Sequence, residues 1–211
     1  MSFDESLSYY LGVMKGDGSA YITHDGRGRE RYCIQLQTKD EAFAKSFQET
    51  LKEFGIYREV VSKSYYAGGQ KSKPRNSYFI HYYRQDKPFY LFKVALWDAE
   101  EVRRFVMQSS ENMKHFLRGI YESEGGYYKN AKGGDYLNVF TGANFDLGNL
   151  VKDCLIELGY NPMVRIHKQS KKSLGTKDMM TVRIGIPSAP SFLDLINPCI
   201  KRPNFQQGVL V

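Results

Sequence analysis

YYLGVMKGDGSAY at residues 9–21 is answered 107 residues later by FLRGIYESEGGYY at residues 116–128. Gly12 aligns with Gly119, Asp17 with Glu124, Gly18 with Gly125 and Tyr21 with Tyr128. A second echo follows: DEAFAKSFQETLKEFGI (40–56) matches NFDLGNLVKDCLIELGY (144–160), with Leu51 over Leu155 and Gly55 over Gly159. Self-similarity at a fixed spacing marks a duplicated structural unit. It predicts two copies, one over residues 1–107 and one over 108–211.

Each copy reads alike. A short apolar helix (6–16 and 111–123) precedes two strands (18–25 and 31–38; 126–131 and 135–141). An amphipathic helix follows (40–54 and 144–158), stopped by Gly55 and Gly159. Two further strands come next (58–66 and 76–83; 163–169 and 180–187), alternating as in Val182-Arg183-Ile184. A last helix closes each half, 88–106 with a break near Asp98, and 191–196. The expected fold is α+β: two pseudo-symmetric αββαββα halves with antiparallel sheets.

The chemistry concentrates at the ends of the first helix of each copy. A carboxylate at a helix C-terminus is repelled by the carbonyl end of the dipole, at a cost of roughly 0.3–1 kcal/mol when exposed. Asp17 and Glu124 share that position, each before a glycine. Two such acids in matched places call for a positive partner, and a hard divalent cation such as Mg²⁺ suits oxygen ligands. Gly12 and Gly119 lie in mid-helix, where alanine is the better helix former. Close backbone contact between the two helices accounts for them and brings Asp17 and Glu124 together. The alternative, that both acids merely cap surface turns, needs the glycines, the acids and the duplication to coincide.

Among 211 residues, 30 Lys and Arg face 23 Asp and Glu, a net charge of +7. That favours an anionic partner, nucleic acid before an acidic membrane, although a merely basic globular protein has the same sum. Cys33, Cys154 and Cys199 form no CxxC pair, which argues against a zinc site or a disulfide framework. An intracellular, reducing setting is expected, in the cytoplasm, nucleoid or an organelle matrix. No run approaches the roughly 18 apolar residues of a membrane span, and the N-terminus is not that of a signal peptide. His24, His81, His115 and His167 make no HxxxH or HExxH pattern, and no GxSxG or phosphate loop occurs.

Basic residues recur at matched places: seven Lys and Arg against two acids over residues 57–87, and six against Asp178 over 165–183. Such residues neutralise phosphates. Strand alternation groups Ser19, Tyr21 and Thr23 with Asp17, and Tyr128 and Asn130 with Glu124. Arg31, Cys33, Gln35 and Gln37 are expected to face outward, with Asn138 as the repeat partner of Gln35. Arg165 and His167 share a polar face, and Arg183 lies likewise in its strand. Gln, Asn and Arg read base edges in the major groove. Arg27, Arg29 and the stretch with Lys71 and Lys73, followed by Arg75, are candidates for flanking phosphates.

Gly12-Val-Met-Lys-Gly-Asp17-Gly18 and Gly119-Ile-Tyr-Glu-Ser-Glu124-Gly125 look like the two motifs of single-chain LAGLIDADG homing endonucleases, and the resemblance covers essentially the whole chain. It implies that the motif helices form the interface between the halves, and that the strands form a DNA-binding saddle. It implies that Asp17 and Glu124 hold catalytic Mg²⁺, with Mn²⁺ or Ca²⁺ as substitutes in binding, and that Gly16 and Ser123 lend carbonyls. It further implies an intron-encoded monomer without an obligate protein partner, cutting double-stranded DNA across the minor groove to leave short 3′ overhangs. Tyr10, the run Phe116-Leu117-Arg118 and Lys15 depart from the motif; Lys15 stands where a dispensable Asp often lies. Active sites of this family often hold a basic residue. After Pro198 stops the last helix, Lys201 can return to the helix ends, or it is an ordinary tail lysine; Lys87 is a weaker candidate in the first half. An intron RNA maturase and a non-cutting DNA-binding regulator of the same fold are the competing functions, and two intact acids favour the nuclease.

Overall fold

The computed structural model describes residues 1–66, 74–128, 135–168, 177–203, 205–206 and 209–210. The first half runs α1 (Phe3–Lys15), β1 (Gly18–His24), β2 (Glu30–Thr38), α2 (Glu41–Glu53), β3 (Val61–Tyr66), β4 (Pro74–Gln85), α3 (Tyr90–Ala95) and α4 (Ala99–Val106). The second runs α5 (Ser110–Glu124), β5 (Gly126–Tyr128), β6 (Tyr136–Gly142), α6 (Phe145–Glu157), β7 (Met163–His167), β8 (Met179–Gly185), a 3-10 turn, α7 (Ala189–Ile196) and a small hairpin, β9 (Phe205–Gln206) with β10 (Val209–Leu210). The two four-stranded sheets have the same order, β1-β2-β4-β3 and β5-β6-β8-β7, with antiparallel neighbours throughout. This is the expected α+β fold with two pseudo-symmetric halves.

The helix boundaries follow from local chemistry. Ser2 and Glu5 form a reciprocal capping box on α1. Asp40, Ser109 and Asn144 cap α2, α5 and α6 with side-chain oxygens. Gly55 and Gly159 have φ of +74° and +84°. Around them Ile56 N–H bonds Leu51 O and Tyr160 N–H bonds Leu155 O, closing α2 and α6 as Schellman turns. The helix expected over 88–106 with a break near Asp98 is two helices: α3 ends at the C-cap Leu96, and Asp98 caps α4 in a box with Glu101. Among the described residues the second half has no counterpart of α4. The β9–β10 hairpin had no expectation behind it.

The core is centred on two helices. From Ser6 to Met14 every α1 residue is buried, so α1 is a helix with no solvent face beyond its ends. It packs on α5 through the glycines. A Cβ on Gly12 would lie 2.3 Å from Phe116 O, and one on Gly119 would lie 2.6 Å from Tyr9 O. Only glycine lets the two backbones approach this closely. α2 and α6 cover the outer faces of their own sheets with Phe43, Phe47 and Leu51, and with Leu147, Leu150, Val151 and Leu155.

Candidate active site

The backbone contact between α1 and α5 continues to their C-termini. A Cβ on Gly16, the C-cap of α1, would fall 2.3 Å from Ser123 Cβ. Asp17 follows Gly16, the C-cap of α1, and Glu124 is the last residue of α5. Burial raises the Asp17 carboxyl above its ordinary value, with Lys201 opposing the shift. Burial also raises Glu124, the neighbouring Asp17 raises it further, and Lys201 again opposes. Asp17 thus lies close enough to Glu124 at the helix junction to disfavour its charge.

Lys201 does return to the helix ends. Its Nζ donates to Ser123 O at 2.7 Å, and its own carbonyl accepts from the Tyr121 hydroxyl at 2.6 Å. Burial lowers the ammonium pKa, while Asp17, Glu124 and Glu122 hold it up. The Ser123 carbonyl, expected as a metal ligand, is engaged by Lys201 in this structure. Lys87 lies ahead of α3 and lines no part of the cavity at the junction. That cavity, of about 710 Å³, opens beside the helix ends toward the first sheet and is lined by Asp17, Ser19, Gln35, Gln37, Lys39, Glu122, Ser123 and Lys201 among others.

Two of these residues escaped the sequence reading. Lys39 follows β2 and gives the first half a cation at the cavity wall. Glu122 is only 1% exposed. It receives Tyr9 Oη at 2.6 Å, Arg118 Nε at 3.0 Å and the Cys199 N–H at 2.7 Å. The duplication offered a hint, since Glu122 falls on Lys15. That lysine donates instead to the carbonyls of Ala95 and Trp97, at the end of α3. Among the described residues no group of three or more His, Cys, Asp or Glu side chains could hold a metal ion. The donors at the junction are two carboxylates and main-chain carbonyls, all hard oxygens, which suit Mg²⁺, Mn²⁺ or Ca²⁺ and not zinc.

The sheet faces beside the cavity carry the other candidates. On the first sheet Ser19 pairs with Gln35, Tyr21 with Cys33 and Thr23 with Arg31. Tyr21 Oη donates to Gln35 Oε1 at 2.9 Å, and Gln37 Nε2 donates to Ser77 Oγ at 3.1 Å. Cys33 corrects its expectation. It is buried, because Tyr21 and Tyr83 flank it on the neighbouring strands and are large enough to cover a small thiol. His81 stacks on Tyr21, and Arg31 lies over the Tyr83 ring at 4.9 Å. Neither His81 nor Tyr83 of β4 was expected on this face. Arg27 is exposed at the β1–β2 turn, whereas Arg29 is held by Asp25 at 2.9 Å. Arg75 lies in β4 opposite Tyr65.

On the second sheet Arg165 and His167 are exposed on β7, Tyr128 is exposed on β5, and Arg183 sits over the Tyr136 ring at 4.5 Å. Asn138 differs from the outward position expected of it, being 6% exposed. The pairing of β6 with β8 shifts between Asn138 and Phe140, so one extra residue breaks the alternation and the run Leu137 to Phe140 is buried throughout. Lys71, Lys73 and Asn130 lie outside the described residues.

Residues 4–108 match the family described as LAGLIDADG-like domain. An uncharacterized protein of Methanocaldococcus jannaschii is 27% identical over 176 residues, 81% of this chain and 61% of that protein. The chain thus spans less than two thirds of that relative's length. The homing endonuclease I-DmoI in complex with DNA and Mn is similar at a TM-score of 0.59 and 20% identity, covering 92% of this chain and 97% of that one. I-WcaI bound to its DNA recognition sequence is similar at a TM-score of 0.56 and 15% identity, covering 93% of this chain and 82% of that one. No described helix is long and apolar enough to cross a membrane. Residues 4–108 are a LAGLIDADG-like domain, and the chain as a whole has the fold of the single-chain, two-motif LAGLIDADG homing endonucleases.

Proposed function

We propose that this protein is a site-specific DNA endonuclease that acts as a monomer on a long asymmetric duplex and hydrolyses both strands across the minor groove, leaving short 3′ overhangs. The observation that carries this reading is the junction of α1 and α5, where glycine contacts bring Asp17 and Glu124 together under Lys201. A regulator that only binds DNA has no use for two mutually repelling carboxylates at that place. I-DmoI has been solved with DNA and Mn and with DNA and Ca, which supports a divalent cation for this fold.

Asp17 and Glu124 are the side chains that would hold Mg²⁺, with the Gly16 and Ser123 carbonyls beside them. Bound there, a hard cation supplies neutralisation of phosphate charge and acidification of a water. Lys201 presents its ammonium beside the two acids, where it stabilises negative charge growing on phosphate oxygens. Ser19, Tyr21, Thr23, Arg31, Gln35 and Gln37 of the first sheet, and Tyr128, Arg165, His167 and Arg183 of the second, contact base edges, with Asn130 as a further candidate. Arg27, Arg29, Lys71, Lys73 and Arg75 meet phosphates. The two faces present different side chains, so one chain reads a non-palindromic site.

The test is selection of cleaved sequences from a randomised duplex library with Mg²⁺. One long asymmetric site cut on both strands is the expected product. Binding without any cleaved duplex would replace this reading by a DNA-binding regulator, and binding of structured RNA in preference to duplex DNA would replace it by a maturase.

A further inference from the structure

The loop that carries Lys201 is fixed from several sides. Asn197 ends α7 in the left-handed region at φ +43°. Arg202 donates to Leu193 O and to Pro198 O, binding the loop to the end of α7. Lys201 itself has φ +58°, a conformation that a non-glycine side chain keeps only when its surroundings impose it. Two of those restraints come from successive residues of α5: the Tyr121 hydroxyl on Lys201 O, and the Glu122 carboxylate on Cys199 N–H.

Glu122 is a costly way to hold a loop. Its side chain is fully buried, and a buried charge persists only when paired. The pairing is complete. Arg118 Nε lies on one carboxylate oxygen, Tyr9 Oη lies on the other, and Arg118 is itself bound to Ser46 Oγ at 3.0 Å and lies over the Tyr9 ring at 4.9 Å. The cluster thus draws on α1, α2 and α5, and its third bond goes to a main-chain N–H two residues ahead of Lys201. A hydrophobic pair of similar volume would fill the same space at no loss of stability, but it would leave the Cys199 N–H without an acceptor. The first half supports the contrast. Lys15, in the matching place, ties down the end of α3, and the chain then enters α4 with no basic arm.

We infer that Glu122 is a positioning residue, whose carboxylate, anchored by Arg118 and Tyr9, holds Cys199 N–H and thereby presents Lys201 to the junction of Asp17 and Glu124. The inference rests on the nuclease reading for its consequence in catalysis. It does not rest on it for the placement of the loop. The experiment compares single-turnover cleavage of the selected duplex by Glu122→Ala, Glu122→Gln, Lys201→Ala and Glu122→Ala/Lys201→Ala, together with amide exchange of the wild-type protein and Glu122→Ala.

Glu122→Ala should slow cleavage by about tenfold with duplex affinity retained, and the double variant should be no slower than Lys201→Ala, since effects that run through one group do not add. Glu122→Gln keeps an oxygen for Cys199 N–H and should stay within about threefold of wild type. Residues 197–202 should lose exchange protection in Glu122→Ala while α1 and α5 keep theirs. Rates that multiply in the double variant, or a glutamine variant as slow as the alanine, would overturn the inference, and so would unchanged exchange at Cys199. Where Glu122→Ala does not fold because Arg118 is left unpaired, Arg118→Leu/Glu122→Leu takes its place under the same criteria. Wild-type protein that cuts no duplex would sink the nuclease reading, and the exchange data would then decide the placement of Lys201 alone.

Discussion

Residues 15 and 122 occupy the same place in the two motif helices, yet one is a lysine and the other a glutamate. Lys15 donates to carbonyls at the end of α3, and Glu122 accepts from an N–H beyond the end of α7. Each motif helix is thus tied to the segment that follows the last strand of its own half, with the sign of the charge reversed. The glycines and the terminal acids did not diverge in this way. Gly12 and Gly119 each meet the backbone of the other helix, so neither can change alone, and Asp17 and Glu124 share one junction. The positions where the two helices meet backbone to backbone match between the halves, whereas positions 15 and 122, which each hold a later segment of their own half, do not. The sheets differ too: Tyr21, His81 and Tyr83 cover the first face, while the second offers Arg165 and His167 on a wholly exposed edge strand.

The largest expected effect tests whether the two acids are equivalent despite that divergence. Asp17→Asn and Glu124→Gln should each abolish double-strand cleavage. Metal-held charge contributes several kcal/mol to such a transition state, so a loss of about a thousandfold or more is expected. Duplex affinity should stay within about tenfold, or about 1.4 kcal/mol, because the sheet faces are untouched. Cleavage assays and gel-shift titrations check this. A variant of either acid that still makes double-strand breaks at the wild-type rate would show that the halves do not share the chemistry.

The glycine pair sharpens the comparison in stability. Gly12→Ala places a methyl group 2.3 Å from Phe116 O, and Gly119→Ala places one 2.6 Å from Tyr9 O. Both neighbours are backbone atoms, so the helices must part. Each variant should lose about 1–3 kcal/mol, the usual cost of overpacking, seen as a lower Tm or denaturation midpoint. Gly126→Ala meets nothing nearer than 3.4 Å and serves as the control. Loss in one helix and tolerance in the other would mean that the contact is not reciprocal.

Among the described residues Lys87, after the last strand of the first half, lines no part of the cavity that Lys201 lines, and removal of Lys201 measures that asymmetry. Lys201→Ala should slow single-turnover cleavage by about tenfold, about 1.4 kcal/mol on the barrier, with little change in binding. An unchanged rate in a folded variant would return Lys201 to a structural role on Ser123 O.

The fold was largely legible because duplication doubles every weak cue. A lone Asp before a glycine says little, but its recurrence after 107 residues, together with a mid-helix glycine, fixed the interface and the helix ends. Gly55 and Gly159 were read correctly for the same reason, since a positive φ leaves few residues to choose from. What failed was information that depends on side-chain volume or on single insertions. Period-2 counting assigned Cys33 and Asn138 to an open face. The rings beside Cys33 and the irregularity after Asn138 buried them, and neither is written in alternation. Glu122 stays hidden in the sequence because only Arg118 lies nearby, one helical turn away, while Tyr9 and Cys199 come from stretches 113 and 77 residues off.

The smallest effect concerns the cost of assembling the site. Burial raises the carboxyls of Asp17 and Glu124, and Asp17 raises Glu124 further. The folded state therefore keeps protons that the unfolded chain has released, and stability falls as pH rises from the ordinary carboxylate range through the raised values. Below the ordinary range both states are protonated and the penalty vanishes. Asp17→Asn removes one charge and its repulsion of Glu124, but it also removes a partner of Lys201. The net gain should be small, about 0.3–1 kcal/mol or about 1–4 °C in Tm without metal at neutral pH, and absent near pH 3. Added Mg²⁺ should reverse the order, raising the wild-type Tm and leaving the variant unmoved, because ligand that binds only the folded state stabilises it. Calorimetric scans at the two pH values, with and without Mg²⁺, measure all four cases. A lower Tm for Asp17→Asn at neutral pH without metal would show that attraction to Lys201 outweighs the repulsion between the two acids, so that the lysine alone already balances the helix junction.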